Sequence, residues 1–245
     1  MGILRPIWVF VAAALLLPGG AWGVEFSTAT LAGKPVTVCR VKVKEERLQL
    51  FLRDDAGQPL KSFEGINRWL SQRGQKLVFG MNAGMYHRDL GPVGLFVSEG
   101  RQLTPLNLAK ADGNFFLKPN GVFAVTTSGA HVIESSQYPK LTGKVLLATQ
   151  SGPMLVMNGK IHPDFKPGSE FRLSRNGVGV PSPDTAVFAL AEDSVNLYDF
   201  AVFFRDVLHC PNALYFDGTV SSLHSTKLDR SDKRIDLGPM IGIVE

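Results

Sequence analysis

The sequence predicts an α+β fold in a single domain, mostly antiparallel or mixed β-sheet with two principal helices. Three observations carry that prediction. Short runs rich in Val, Ile, Phe and Thr recur along the chain, either alternating with polar residues or continuously apolar. Tight-turn dipeptides separate several neighbouring runs, and only two stretches keep apolar residues at helical spacing. No regular strand–helix alternation and no Gly-x-Gly-x-x-Gly is present, which excludes a dinucleotide-binding sheet.

Residues 1–23 read as a signal peptide. Arg5 supplies a basic start, 7–17 an apolar run, and Ala21-Trp22-Gly23 a small-x-small cleavage pattern. The run is short for a bilayer span and helix breakers follow it; an uncleaved anchor is the alternative. No later run is apolar for long enough to span. The mature domain, 24–245, is therefore expected outside the cytoplasm, periplasmic or secreted, with no stable membrane span after cleavage.

Strand signals then follow at 36–43 and 48–53, the second closed by Asp54-Asp55-Ala56-Gly57. Further strands are expected at 76–81, 94–98, 115–117, 121–126, 131–134, 145–149 and 153–157, and at 178–180, 185–191, 213–216 and 240–244. Glu99-Gly100, Ser128-Gly129 and Asn158-Gly159 mark hairpins. A helix over 62–72 places Phe63, Ile66, Trp69 and Leu70 on one face and stops at Gly74. A stronger helix over 197–209 is capped by Asn196 and stopped by Pro211. The segment 165–183, rich in Gly, Pro, Ser and Arg, reads as a long loop.

The chain carries 26 Lys and Arg against 22 Asp and Glu, a net charge of +4, with the two signs interleaved. This excludes a dedicated nucleic-acid patch and tolerates an anionic ligand. Cys39 and Cys210 read as buried thiols in apolar settings, with a disulfide left open. No Cys or His pair has ligand spacing, so no metal site or cofactor is expected; a divalent ion near Asp217 would have no motif to hold it.

Four polar or Gly-rich clusters interrupt apolar strands at or near their ends: Gly80-Met-Asn-Ala-Gly-Met-Tyr86, Gln150-Ser-Gly-Pro153, Arg175-Asn-Gly-Val-Gly179 and Asp217-Gly-Thr-Val-Ser-Ser222. Polar groups at strand ends can converge on a ligand, and Gly allows close backbone approach with N–H groups free to cradle an anion. Asp217 is the leading candidate, because a carboxylate just past a buried strand can be held desolvated and act as base or nucleophile. The plain alternative is an Asx turn that closes the strand. Arg175 offers a planar fork for phosphate or carboxylate; a surface Arg in a loop is its plain alternative.

Two rival chemistries fail on the residues. The phosphatase pattern Asp-x-Asp-Gly-Thr lacks its nucleophile, since Tyr215 stands there. Ser221 or Ser222 with His224 would place nucleophile and base too close in sequence on an extended chain.

Taken in order, the clusters resemble the phosphodiester glycosidase family. Asn82-Ala-Gly-Met-Tyr86 is similar to its Asn-Gly-Gly-Phe-Phe element. Ser151-Gly-Pro-Met-Leu155 with Asn158-Gly159 is similar to Ser-Gly-Pro-x-Leu and Asn-Gly. Arg175 to Gly179 is similar to Arg-x-x-x-Gly, and Asp217-Gly-Thr-Val-Ser-Ser222 to Asp-Gly-Gly-x-Ser-Ser. Ala83 and Thr219 depart from the pattern by replacing Gly. Phe115, Phe116 and Asn120 look like features of a bacterial subgroup.

The resemblance implies hydrolysis of a sugar 1-phosphodiester in envelope or extracellular glycoconjugates. It implies Asp217 as nucleophile or general base and Arg175 on the phosphate. Ser151, Ser221 and Ser222 would be hydrogen-bond donors, with Gly152 and Gly218 exposing backbone, and Asn82 and Asn120 would bind or orient the sugar. A second carboxylate, if used, would be Asp89, Asp184 or Glu134. The competing class is a non-catalytic periplasmic module that binds a glycan or anionic polymer in the same pocket.

Overall fold

A computed structural model describes residues 24–245, so the signal-peptide reading of 1–23 lies outside the described residues. The strands are β1 (Val24–Leu31), β2 (Lys34–Lys42), β3 (Leu48–Phe51), β4 (Leu77–Asn82), β5 (Phe96–Ser98), β6 (Arg101–Thr104), β7 (Gly121–Thr126), β8 (Gly129–Glu134) and β9 (Val145–Ser151). They continue as β10 (Met154–Met157), β11 (Lys160–Ile161), β12 (Leu173–Ser182), β13 (Thr185–Val195), β14 (Asn212–Asp217), β15 (Leu223–Ser225), β16 (Arg230–Ser231) and β17 (Met240–Val244).

They form a seven-stranded sheet, β1-β2-β13-β12-β14-β10-β11, and two five-stranded sheets, β16-β15-β4-β17-β3 and β6-β5-β9-β7-β8. Neighbours pair antiparallel throughout the described residues. The α+β architecture read from the sequence is the one observed.

All three sheets turn one face onto a shared core. Val41, Phe79, Phe96, Phe123, Phe188, Leu214 and Phe216 meet there, each under a tenth exposed. The seven-stranded sheet is buried on its other face too. There Val36, Val187, Ala189, Ala213 and Tyr215 pack against Phe200, Phe203 and Phe204 of the C-terminal helical segment. Burial on both faces explains why 213–216 reads as one continuous apolar run. The N-terminal helix, α1 (Phe63–Ser71), is capped by Ser62, whose Oγ accepts from Gly65 N at 3.0 Å. It lays Phe63, Ile66 and Leu70 on the outer face of the β4–β17 sheet.

Three expectations are corrected. The strand expected at 115–117 is a 3₁₀ turn, Asn114–Phe116, entered through Gly113 at φ 103°. The strand expected at 178–180 is present but runs over 173–182 as β12, through most of the second half of the expected 165–183 loop, and joins β13 to β14. The helix expected over 197–209 is α-helical only as α2 (Leu197–Val202) and widens to a π turn over Phe203–Val207. That widening keeps Phe203 and Phe204 both fully buried.

Cys39 and Cys210 are both free and buried. Cys39 faces the shared core and Cys210 the α2 side, so the seven-stranded sheet lies between them.

Candidate functional site

The site forms where β14 leaves the seven-stranded sheet beside the end of β4. Asn82, the last residue of β4, and Asn176, on β12, are both buried and face each other as an amide pair. Asn82 Nδ2 donates to Asn176 Oδ1 at 3.2 Å, and Asn176 Nδ2 donates to Asn82 Oδ1 at 3.1 Å and Asn82 O at 2.9 Å. The remaining acceptor capacity gathers the Asp217 turn. Asp217 N and Ser221 Oγ each donate to Asn176 Oδ1 at 3.2 Å, and Ser222 N donates to Asn82 Oδ1 at 2.9 Å. Ser151 Oγ donates to Phe216 O at 2.8 Å, which ties β9 to the residue before Asp217.

Three of the four sequence clusters thus meet in one hydrogen-bonded frame. The fourth enters through Asn176. The sequence had singled out its neighbour Arg175, and strand alternation explains the difference: side chains at adjacent positions point to opposite faces. Arg175, fully buried, donates Nε to Val195 O at 2.7 Å, Nη1 to Tyr215 Oη at 3.1 Å and Nη2 to Phe171 O at 3.3 Å. It borders a small cavity with Lys166, Ser169 and Tyr198. Burial pushes the Tyr215 hydroxyl well above the ordinary tyrosine value, with Arg175 pulling it back and the Asp217 charge adding to the rise. Tyr215 therefore feels the charges of both the guanidinium and the carboxylate.

Asp217 is partly buried. Its pKa rises from 3.8 to about 6, because burial disfavours the charge more than the Gly218 N–H, 2.6 Å from Oδ1, stabilises it. A β-bulge sets this position: Gly177 pairs with Tyr215 but Asn176 pairs with Asp217, so Phe216 is the extra residue. Bulges of this kind re-aim the side chains beyond them. Asp217 Oδ1 accepts from the N–H of the next residue, Gly218, and not from the one two residues on that an Asx turn would use.

Tyr86, which the sequence quoted only as part of a motif, lies near enough to feel the Asp217 charge. Burial, and then the charges of Asp217 and Asp236, push its hydroxyl up to about 12, and it donates to Asp236 O at 3.0 Å.

The glycines are close-approach positions. A Cβ at Gly152 would lie 2.6 Å from Asn120 Cβ, and one at Gly218 would lie 2.5 Å from Tyr215 Oη. Asn120 itself is turned to its own loop, donating Nδ2 to Phe115 O at 2.8 Å and accepting from Lys118 Nζ at 3.0 Å. Ser222 Oγ donates to Val220 O at 2.8 Å.

The carboxylates considered as second members each have a partner of their own. Asp184 pairs with Lys44 at 2.7 Å, Asp89 accepts from Gly91 N, and Glu134 accepts from Ser136. Among the described residues no three His, Cys, Asp or Glu side chains gather in a metal-ligand group.

Comparison with known proteins adds three findings. The family model described as phosphodiester glycosidase matches residues 75–240, which spans every element of this frame. The Escherichia coli (strain K12) uncharacterized protein YigE is 32% identical over 218 residues, covering 88% of this chain and 84% of that protein. The catalytic domain of zebrafish N-acetylglucosamine-1-phosphodiester alpha-N-acetylglucosaminidase, auto-inhibited by its pro-peptide, shares the fold. Its TM-score is 0.59 at 13% identity, with 90% of this chain and 81% of that chain covered.

Proposed function

The chain belongs to the phosphodiester glycosidase family, and we propose that it is an exported hydrolase that cleaves a sugar 1-phosphodiester at Asp217. The observation that carries this reading is the Asp217 carboxyl itself. It is held at a strand end by a frame that joins all four clusters, with its pKa lifted to about 6.

Such a carboxyl is mostly ionised at neutral pH yet poorly solvated, which suits attack on, or activation of water toward, an electrophilic anomeric carbon. The leaving phosphodiester oxygen is already the oxygen of a weak base. The site therefore needs charge stabilisation and placement more than a strong general acid. Tyr215, backed by Arg175, and Tyr86 are the hydroxyls set around Asp217, and we assign them to oxygens of the sugar phosphate. In this reading Arg175 supplies positive potential through Tyr215. Asn82 and Asn176 hold the turn, while Ser151, Ser221 and Ser222 brace it and can rotate their hydroxyls toward substrate. Asn120 and the Gly152 and Gly218 backbones complete the wall. The substrate lies outside the cytoplasm, in keeping with the leader read at 1–23.

The test is turnover of a panel of sugar 1-phosphodiesters followed by phosphorus NMR. Wild type should release a phosphomonoester, and Asp217→Asn should lower turnover by about a thousandfold or more with the fold intact. A wild-type protein that binds these esters without turning any over would instead establish the binding-module reading.

A further inference from the structure

The turn 217–222 leaves the seven-stranded sheet at Asp217, the end of β14, and enters the β4 sheet at Leu223, the start of β15. Where the Asp217 carboxyl comes to rest therefore depends on how these two sheets are held against each other at this end. The Asn82–Asn176 amide pair is one polar tie between them. A second tie lies beyond the turn in sequence, at β16.

Leu223 follows Ser222 and is gripped twice by Asp232. Its N–H donates to Asp232 Oδ2 at 3.0 Å, and its carbonyl accepts from Asp232 N at 2.9 Å. Arg230 lays its fork on the same carboxylate, Nε on Oδ1 at 2.9 Å and Nη2 on Oδ2 at 2.8 Å. Its remaining nitrogen, Nη1, donates across to Oε1 of Glu192, on β13 of the seven-stranded sheet, at 2.6 Å. Thr37 Oγ1, on β2, donates to the same Glu192 oxygen at 2.5 Å. None of the Glu192, Arg230 and Asp232 side chains is more than 26% exposed, so solvent screens them only in part. A bidentate fork with a further donor on another carboxylate fixes direction as well as distance, which a lysine point charge does not. The β15–β16 pairing and the Asp232–Leu223 contacts suffice for the hairpin itself. The reach to Glu192 adds nothing to the hairpin and joins it to the other sheet.

We propose, resting on Asp217 as the reacting carboxyl, that Arg230 is a positioning residue for it: the Glu192–Arg230–Asp232 clasp sets the β15–β16 hairpin against β13 and so fixes the turn where it ends, at Leu223. Ser222 N is then held on Asn82 Oδ1, and Ser221 Oγ on Asn176 Oδ1 and Asp217 O. From Glu192 to the Asp217 backbone, every link is a hydrogen bond or a peptide neighbour. Arg230 acts through the turn and not on the reacting atoms. With the clasp opened, the turn relaxes toward water and Asp217 loses part of the desolvation that raises its pKa. The sign of the change is diagnostic. Loss of a nearby cation by itself raises a carboxyl pKa, whereas better solvation lowers it.

Carboxyl-carbon NMR of aspartate-labelled protein reads the Asp217 titration directly, its signal being the one lost in Asp217→Asn. Wild type should titrate at about 6, and Arg230→Met and Glu192→Ala should each bring the midpoint down by about half a unit or more toward 3.8. Glu192→Ala opens the clasp while leaving the Arg230–Asp232–Leu223 contacts in place, which covers the case in which Arg230→Met fails to fold. On a sugar 1-phosphodiester both variants should lower kcat by about tenfold or more with KM within about threefold, and Arg230→Lys should fall between them and wild type. A clasp that only stabilised the fold would lower the melting temperature and leave the midpoint and the kcat of the folded protein as in wild type. A midpoint that stays or rises in either folded variant, or an unchanged kcat, would overturn the proposal. A wild type that turns over no sugar 1-phosphodiester would sink the reading of the reaction, and the NMR midpoint would still decide the role of Arg230.

Discussion

At the scale of single residues, the raised pKa of Asp217 has two measurable consequences. If the ionised carboxylate does the chemistry, kcat/KM should climb with pH through about 6 and level off above it. The second consequence concerns stability. A carboxyl whose folded pKa lies above its unfolded one holds its proton more tightly when folded. Stability is then greatest below the unfolded value of 3.8 and falls as pH rises toward about 6. The loss amounts to about 1–3 kcal/mol, discounted for the partial exposure of the group. Asp217→Asn should flatten that fall, and chemical denaturation at pH 4 and 7 would read it.

Asn176 is the residue that sequence reasoning passed over. A neutral amide beside an arginine carries no charge to mark it. Its importance lies in three donors converging on one oxygen from Asn82, Asp217 and Ser221, and that arrangement exists only in the folded chain. Asn176→Ala should cost about 2–4 kcal/mol, because it strands buried donors, and should abolish turnover. Measured separately, Arg175→Met should also destabilise, since Tyr215 Oη and Val195 O lose their buried partner.

At the scale of elements, legibility followed chemistry. Strands buried on both faces, such as β13 and β14, were plain as apolar runs. Strand β12 was legible only at 178–180, because Arg175, Asn176, Gly177, Gly179 and Pro181 give the rest of it the composition of a loop. Their polar groups are satisfied by partners distant in sequence, and the glycines admit close packing: a Cβ at Gly177 would sit 2.6 Å from Leu214 O. The 3₁₀ turn at Asn114–Phe116 misled in the opposite sense, with aromatic residues that read as strand. It matters to the site because it braces Asn120 against Gly152. Gly152→Ala would drive a Cβ to 2.6 Å from Asn120 Cβ and 2.9 Å from Phe115 O. The expected outcome is a loss of about 1–3 kcal/mol in thermal or urea unfolding, with a larger fractional loss of activity than of folded protein.

At the scale of the whole molecule, three sheets share one core and the frame sits where β4, β9, β12 and β14 end or meet. Four short clusters spread along the chain foretold this, because family motifs mark strand ends and the fold brings those ends together. The cysteines follow from the same layout. With a sheet between them and burial raising both thiols, Cys39 well above its ordinary value and Cys210 to about 12, neither should react with a thiol reagent until the chain unfolds. A reductant should leave the melting temperature unchanged.

On the proposed function, the anomeric carbon of a sugar 1-phosphodiester docks at Asp217. A crystal structure of the Asp217→Asn protein with an uncleaved sugar 1-phosphodiester tests it most directly. The predicted result places the anomeric carbon about 3–3.5 Å from the substituted side chain, with phosphate oxygens toward Tyr215 or Tyr86. A sugar phosphate bound beyond the reach of that side chain, with wild-type turnover unaffected by the substitution, would contradict it.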